Sequence, residues 1–531
     1  MRSFFNRGIF CILTGGLFFA NAAAVAHHAP GHDGTDRAGR IIEPAQTPSL
    51  RPERVEYPIS TMETILNSAA KAICGDHFIT GIPVDTLKET LITGWFASDD
   101  PENAAYTVPS EYYPATMARA AEAVGGVSVD EKTGLVQLQS GPYVGKARYF
   151  GDQGCAILNP YLDHAYFDPV TVPREKADDD LFPKDGDLLS RGGPLPSGYD
   201  RTLLEAAIEE ALHPDKFGVA MLVMHKGETI IERYAKGVTK DTPTLNWSMG
   251  KSILGALIGR LDALGALSLD DPAPVDAWYV HENDPRQNIK IIDLMRMSAG
   301  LSCTRNDEPW LVRGATNDHA DHNIIYAAPI DVVQNAILSP YAHAPNERYK
   351  YNNCDMQALG YIIKKKIAER GEDYLTWPYV ELYNKIGMSG MVSEVDTYGN
   401  FHLTGFDYGT ARDWARYGVL HLNEGVWNGE RIVSQDFIDA ARTPGPVWGT
   451  GEFADVDRHR WSYGATHWLN ERGDLALPRD AYYPQGLGDN AAYISPSEEL
   501  VIVILRLTNF ENFNGDVLKT LTPGLGIDIA D

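Results

Sequence analysis

The sequence predicts an α+β protein, an antiparallel sheet flanked by helices with an inserted helical region, preceded by a smaller N-terminal α+β domain. Three observations carry this. "RTLLEAAIEEALHP" followed by "FGVAMLVMHKGETIIERYAKG" reads as a helix and two strands turned at Lys226-Gly227. "NAAYISPSEELVIVILRLTN", near the other end, is a second hairpin turned at Ser495-Pro496-Ser497. The material between them is helical by its periodicity. Hairpins at both ends of one domain make a sheet assembled from its two ends, and a cleft beside the insertion is then the natural site.

Length and charge narrow the reading. A chain of 531 residues, 44% hydrophobic and 22% charged, has a globular composition and room for two domains. Its formal net charge of −26 excludes nucleic acid and anionic membrane surfaces as partners, since both repel such a surface.

Residues 1–26 read as an export signal: Arg2 and Arg7, the apolar "GIFCILTGGLFFA", and the small-x-small site Ala24-Val25-Ala26, with cleavage near His27. The expected location is periplasmic or secreted. Cys11 lacks the small residue that precedes a lipidated cysteine, and no later stretch is apolar enough to span a bilayer, so no membrane anchor is expected. Residues 27–55 are polar, rich in Pro and Gly, and read as a disordered tail in which His27, His28 and His32 are solvated rather than metal-bound. Residues 56–165 form the N-terminal extension domain: a helical "TMETILNSAAKAIC", then strand-like "GVSVDEKTGLVQLQS" and "KARYFGDQGCAIL". Residues 166–200 are a linker by their Pro, Gly and Asp content, and the main domain runs over 201–531. Once Cys11 is removed, Cys74, Cys155, Cys303 and Cys354 allow three pairings, of which pairing within each domain is the economical one; four buried thiols are the alternative.

The segment "LNWSMGKSILGALIGRLDALG" contains an anomaly. Ile253, Leu254, Leu257, Ile258 and Leu261 recur at the spacing of a buried helix, yet Lys251 stands at its N-terminal edge, one turn from Ser248. A serine hydroxyl is a poor nucleophile until a base takes its proton, and a lysine can be that base only when burial or a nearby cation disfavours its ammonium form. The positive end of an apolar helix meets both conditions. Ser-x-x-Lys alone is a weak signal. Ser68-Ala69-Ala70-Lys71 also fits it, but lies inside a helix-like segment with no hairpin before it and reads as chance.

The context is more specific. "WSMGKS" resembles the Ser-x-x-Lys box of the penicillin-recognising serine hydrolases: class C beta-lactamases, D-alanyl-D-alanine carboxypeptidases, and esterase and amidase relatives. The tryptophan before the serine resembles the 6-aminohexanoate-dimer hydrolase branch. "ERYKYNNCDMQALGYIIKK" resembles the second box, Tyr-x-Asn, and maps Tyr351 and Asn353. "LMRMSAGLSC" and "TARDWARYGVLHL" resemble two further recurrent stretches, and "ARYFGDQGCAIL" an extension of some bacterial members. The resemblance spans roughly residues 201–531 and implies a beta-lactamase-like fold. It places Cys303 and Cys354 on segments beside the cleft, which favours Cys303–Cys354 and Cys74–Cys155.

The third box departs from the family's Lys-Thr-Gly or His-x-Gly. Lys132-Thr133-Gly134 is in the wrong domain and reads as a turn, while the positional counterpart "YPQGLGDN" puts Gly486 in the glycine slot behind Pro484 and Gln485, where a cation is expected. The resemblance gives Tyr351 the proton relay beside Lys251 and Asn353 a hold on Lys251 or the substrate amide. The oxyanion would meet the backbone N–H groups of Ser248 and Leu487, with glycine at 486 allowing close approach. His319 and His322 of "NDHADHN" lack a third ligand, and the serine chemistry requires no metal or cofactor. That segment reads as a loop over the cleft, with Trp310 and Tyr326 as substrate walls and Arg313, or Arg506 on the last strand, as possible sources of positive charge. The implied function is an exported serine hydrolase acting through a Ser248 acyl-enzyme on a small amide or ester. The alternatives are a beta-lactamase or D-Ala-D-Ala carboxypeptidase, and a non-catalytic binding protein on the same scaffold. The sequence carries no signal for oligomeric state.

Overall fold

The computed structural model describes residues 61–90, 113–175, 181–303, 324–446, 462–507 and 513–529. The expected export segment and tail, with Trp310, Arg313, His319 and His322, lie outside them. Helix α1 (Thr61–Phe78) opens the described chain and packs on an antiparallel meander of β1 (Ser128–Asp130), β2 (Leu135–Ser140), β3 (Tyr143–Tyr149) and β4 (Cys155–Ile157). Val136, Leu138 and Ala147 bury against Ile65, Leu66, Ala69 and Ile73 of the helix, which is why "TMETILNSAAKAIC" carries small and aliphatic residues at helical spacing. Helix and sheet touch at Gly145, where a Cβ would lie 2.3 Å from the Leu66 carbonyl carbon. Cys74 and Cys155 form a disulfide between α1 and β4. Lys132-Thr133-Gly134 is the expected turn, with Asp130 accepting from the N–H groups of Lys132 and Thr133.

The chain then runs over the main sheet, burying Val172 and Phe182 in its core. Asp200 caps α2 (Arg201–Ala211) by accepting from the N–H groups of Thr202 and Leu203. The first hairpin, β5 (Gly218–His225) and β6 (Glu228–Tyr234), turns at Lys226 and Gly227, whose φ values of 52° and 77° are those of a tight type I′ turn. A short strand β7 (Thr244–Leu245) leads into α3 (Gly250–Ala263). The inserted helical region follows, including α4 (Asn353–Glu369), which Cys303–Cys354 ties to the "SAGLSC" stretch. β7 belongs to a three-stranded sheet with β8 (Val392–Ser393) and β9 (Asp407–Gly409), in the order β7-β9-β8. After α5 (Ala411–Leu422) come β10 (Ser462–Tyr463), β11 (Trp468–Leu469), β12 (Tyr482–Tyr483), β13 (Gln485–Gly486), β14 (Asn490–Ser495), β15 (Leu500–Arg506) and α6 (Asn514–Gly524).

The main sheet is antiparallel, in the order β10-β11-β12-β14-β15-β5-β6, with β13 alongside β14. Its last strand pairs with its first, so the domain's two ends meet in mid-sheet, as the two hairpins predict. Both faces are covered. Leu222, Met224, Val501 and Val503 enter one core with α3 and α5, while Met221, Val223, Ile502 and Ile504 enter another with α2 and α6. This explains why β5 and β15 are buried at every residue and read as continuous apolar runs.

Asp355, in the first turn of α4, is fully buried and accepts from the N–H of Ala299 at 3.3 Å. Burial pushes its carboxyl up to about 7, against hydrogen bonds from Asn352 and Ala299. A folded pKa above the unfolded value means that this group's contribution to stability is complete at low pH and is lost as the pH rises through about 7. Asp355→Asn has no charge to bury. Its stability relative to the parent should therefore rise by on the order of 3 kcal/mol between about pH 4 and pH 7, read from urea unfolding at both pH values.

Candidate active site

β7 delivers the chain to a single turn of 3-10 helix, Trp247–Met249, that runs directly into α3. Asn246, buried before the turn, donates its N–H to Asp407 O (2.7 Å) and accepts from Trp414 Nε1 at its side chain (2.8 Å). Trp247 has φ 53°, a left-handed conformation that a bulky residue rarely adopts, and the sharp bend sets Ser248 at the mouth of the helix. Lys251, in the first turn of α3, is buried, whereas Ser248 stays partly exposed. Lys251 Nζ donates to Ser248 Oγ at 3.0 Å and to the Thr404 carbonyl at 2.8 Å. Ser248 Oγ lies 3.4 Å from the same carbonyl.

Tyr351 presents its ring to the amine, with Nζ 5.0 Å from the centroid. The ring stacks on Trp468 at 5.5 Å and meets Tyr463 edge-on at 6.2 Å. Asn353 is the first residue of α4, behind the Asn352 cap whose side chain accepts from Asp355 N–H. Its Nδ2 donates to Tyr326 Oη at 3.0 Å, and Tyr326 Oη donates to Thr404 O at 2.7 Å. Asn353 therefore connects with Lys251 through a tyrosine and a shared carbonyl. Tyr326, expected as a substrate wall, directs its hydroxyl inward, and burial pushes that phenol far up.

Gly486 lies against the Trp247–Met249 turn. A Cβ there would stand 1.9 Å from Asn246 O and 3.2 Å from Ser248 N, so only glycine lets β13 approach the Ser248 N–H this closely. Leu487 follows at the surface, its carbonyl accepting from Asn490 Nδ2 at 2.8 Å. Gln485 Nε2 is engaged with Asp489 Oδ1 at 3.0 Å. Arg506 is buried and committed to Lys216 O (3.0 Å) and Asn514 Oδ1 (3.2 Å). It therefore supplies structure rather than a charge for the cleft.

The structure thus assembles Ser248, Lys251, Tyr351, Asn353 and Gly486 at one place. It adds participants that sequence reasoning missed. Thr404 contributes only a backbone carbonyl, which no residue type signals. Asp407 packs its carboxyl on Gly250, where a Cβ would lie 2.0 Å from Oδ2. Burial pushes that carboxyl well up, opposed by Ser393 and the Lys251 charge.

A family model described as Beta-lactamase matches residues 204–522. The chain is 24% identical over 325 residues to a 6-aminohexanoate-dimer hydrolase of Paenarthrobacter ureafaciens, covering 59% of this chain and 77% of that protein. Among solved structures, a putative 6-aminohexanoate-dimer hydrolase from Bacillus anthracis superposes with a TM-score of 0.48 at 21% identity, covering 67% of this chain and 87% of that one. A family VIII carboxylesterase gives 0.45 at 13% identity, covering 63% and 99%.

Gly486→Ala tests the edge contact. The added methyl forces β13 off the turn, so kcat for any ester the protein hydrolyses should fall by roughly 10²–10³, the scale of losing one oxyanion donor. The near-ultraviolet circular dichroism should stay that of the parent.

Proposed function

We propose, for a chain that belongs to the beta-lactamase family, that it cleaves a small amide or ester through an acyl-enzyme on Ser248. The observation that carries the reading is the 3.0 Å contact between Lys251 Nζ, buried, and Ser248 Oγ, partly exposed. Lys251 in its amine form takes the hydroxyl proton as Oγ attacks the substrate carbonyl carbon. The oxygen that becomes anionic lies at the Ser248 N–H and the β13 edge, where Leu487 N–H is the second donor. Tyr351, beside the amine, passes the proton to the departing nitrogen or oxygen as the bond to the acyl carbon breaks. A water then attacks the ester, its proton returns along the same route, and Ser248 is released. Asn353 orients Tyr326 and, through it, the Thr404 carbonyl on which the amine rests.

Export to an oxidising compartment belongs to the same proposal. The disulfides Cys74–Cys155 and Cys303–Cys354 support it, being bonds that such compartments preserve. Mass spectrometry of the protein from its native cell should find an N-terminus near His27. An intact Met1 would contradict export. No helix among the described residues is long and apolar enough to cross a membrane.

Ser248→Ala should abolish both turnover and fluorophosphonate labelling, and label arriving on another serine would sink the assignment. Lys251→Ala should lower turnover by about 10²–10⁴ or more while the protein stays folded by circular dichroism.

Substrate class follows from charge. A penicillin or a D-Ala-D-Ala peptide carries a carboxylate, and Pro484 and Gln485 offer it no charge-assisted hydrogen bond, which is roughly twice as strong as a neutral one. Short esters and uncharged amides should therefore exceed nitrocefin in kcat/KM by at least about 10²-fold, or roughly 2.7 kcal/mol. The similarity to a 6-aminohexanoate-dimer hydrolase puts linear amide dimers in the same screen. Nitrocefin turnover equal to that of the esters would favour the beta-lactamase alternative.

A further inference from the structure

Helix α1 turns one stripe, Asn67, Lys71 and Gly75, towards the back of the candidate site, each position four residues from the last. Asn67 Nδ2 donates to Ala327 O at 3.0 Å, next to Tyr326. Lys71 Nζ lies 2.8 Å from Glu394 Oε2, with both side chains wholly buried. It also donates to Cys155 O at 2.5 Å, and the Cys155 N–H donates to Glu394 Oε1 at 2.6 Å. The same amine sits 4.6 Å from the centre of the Phe406 ring. Gly75 packs under Tyr408, where a Cβ would lie 2.0 Å from Oη, and that hydroxyl donates to Asp76 Oδ1 at 3.3 Å.

These contacts bracket Thr404. Glu394 N–H donates to Phe406 O at 3.3 Å, and Glu394 O accepts from His402 N–H at 3.0 Å, so Glu394 is laced to both sides of the bend that carries the Thr404 carbonyl. Phe406 in turn packs on Trp247, 5.0 Å between centroids, and on Tyr326 at 5.5 Å. The apolar core beneath α1 and the Cys74–Cys155 disulfide already hold the helix to its own sheet. Lys71 instead spends its charge on a segment of the hydrolase region. Apolar packing slides at low cost, whereas a wholly buried ion pair that separates leaves an uncompensated charge in the interior, so Lys71 and Glu394 hold each other in place.

We propose that α1 is a built-in positioning element of the hydrolytic site, and that Lys71, paired with Glu394, is the positioning residue that holds the 402–406 bend where the Thr404 carbonyl meets Lys251. This rests on Ser248 and Lys251 acting as nucleophile and base. The N-terminal region is then part of the catalytic apparatus rather than an appendage. The Ser68-x-x-Lys71 match has no catalytic meaning as a spacing, yet it contains a residue on which the true pair depends.

The test uses the full chain. Lys71→Met keeps the length of the side chain and removes its charge; kcat on p-nitrophenyl acetate should fall about 10²-fold, the effect of an ångström-scale misplacement, with KM within about threefold. Labelling of Ser248 by the fluorophosphonate should slow in parallel. Val124→Ala opens a cavity in the same N-terminal core without pushing on the backbone of α1 or touching residues 394–406, and should leave kcat within about twofold even where its Tm falls as far. If Lys71→Met does not fold, Glu394→Gln carries the test by the same criterion, a reduced kcat at constant KM. Parental kcat in either folded variant overturns the proposal, as does a kcat that simply tracks Tm across Lys71→Met and Val124→Ala. Absence of label on Ser248 in the parent protein would overturn the underlying reading, and the proposal with it.

Discussion

A buried primary amine is tolerable only where its protons find acceptors, and the Thr404 carbonyl is the acceptor around which this site is arranged. It receives Lys251 Nζ at 2.8 Å and Tyr326 Oη at 2.7 Å. A carbonyl oxygen has two lone pairs, so those donors occupy it. Ser248 Oγ, at 3.4 Å, is left with Lys251 at 3.0 Å as its short contact. The geometry that directs serine towards lysine is therefore a matter of competition for one oxygen. Displacement of Thr404 would take from the amine its 2.8 Å acceptor and change the competition that directs the serine.

Such an arrangement strains the backbone on both sides. Trp247 at φ 53°, Leu403 at 44° and Phe406 at 59° are all large residues in the left-handed region, flanking Ser248 and Thr404. Conformations of this kind cost of order 1–3 kcal/mol each and persist where packing leaves no alternative. Here the same residues provide much of that packing. Trp247 and Phe406 lie 5.0 Å apart, Tyr326 stands 5.5 Å from Phe406, and Trp247 meets Tyr326 edge-on at 6.3 Å. Aromatic pairs contribute about 0.5–1.5 kcal/mol each beyond the area they bury, which offsets a good part of the strain.

What could be read from the sequence follows from this division of labour. The hairpins were legible because β5 and β15, covered on both faces, write continuous apolar runs, and α3 was legible because its apolar residues recur at 3.6. Ser248, Lys251, Tyr351, Asn353 and Gly486, which the structure brings together, were legible because side-chain type, or the lack of a side chain, marks each position. Thr404 was not, since its contribution is a carbonyl that any residue carries. Asp407 opens the three-residue β9 and Glu394 follows the two-residue β8, stretches too short to write a periodicity that betrays burial, and Lys71 drew attention for its distance from Ser68 when its partner is far along the chain. Tyr326 was singled out for its aromatic ring, whereas its hydroxyl makes the contacts that matter.

The edge opposite Lys251 is governed by the far end of the chain. Asp489, at φ 64°, accepts from Gln485 Nε2 with one carboxylate oxygen and from the N–H groups of Phe513 and Asn514 with the other. Asn514 returns a bond from its Nδ2 to Asp489 O at 2.7 Å and accepts from Arg506 through Oδ1. Asp489 thus ties Gln485, in the position before the glycine slot, to the start of α6, and the side chain that stands where a cation is expected is engaged in closing α6 onto the sheet. It also means that the distance from Gly486 to the Ser248 N–H is set by residues after 505, while the register of Thr404 and Lys251 is set by residues before 80. Ser248 sits between two supports that belong to opposite ends of the described chain, and the antiparallel pairing of the first and last strands of the sheet brings its own two ends into the rigid layer on which those supports rest.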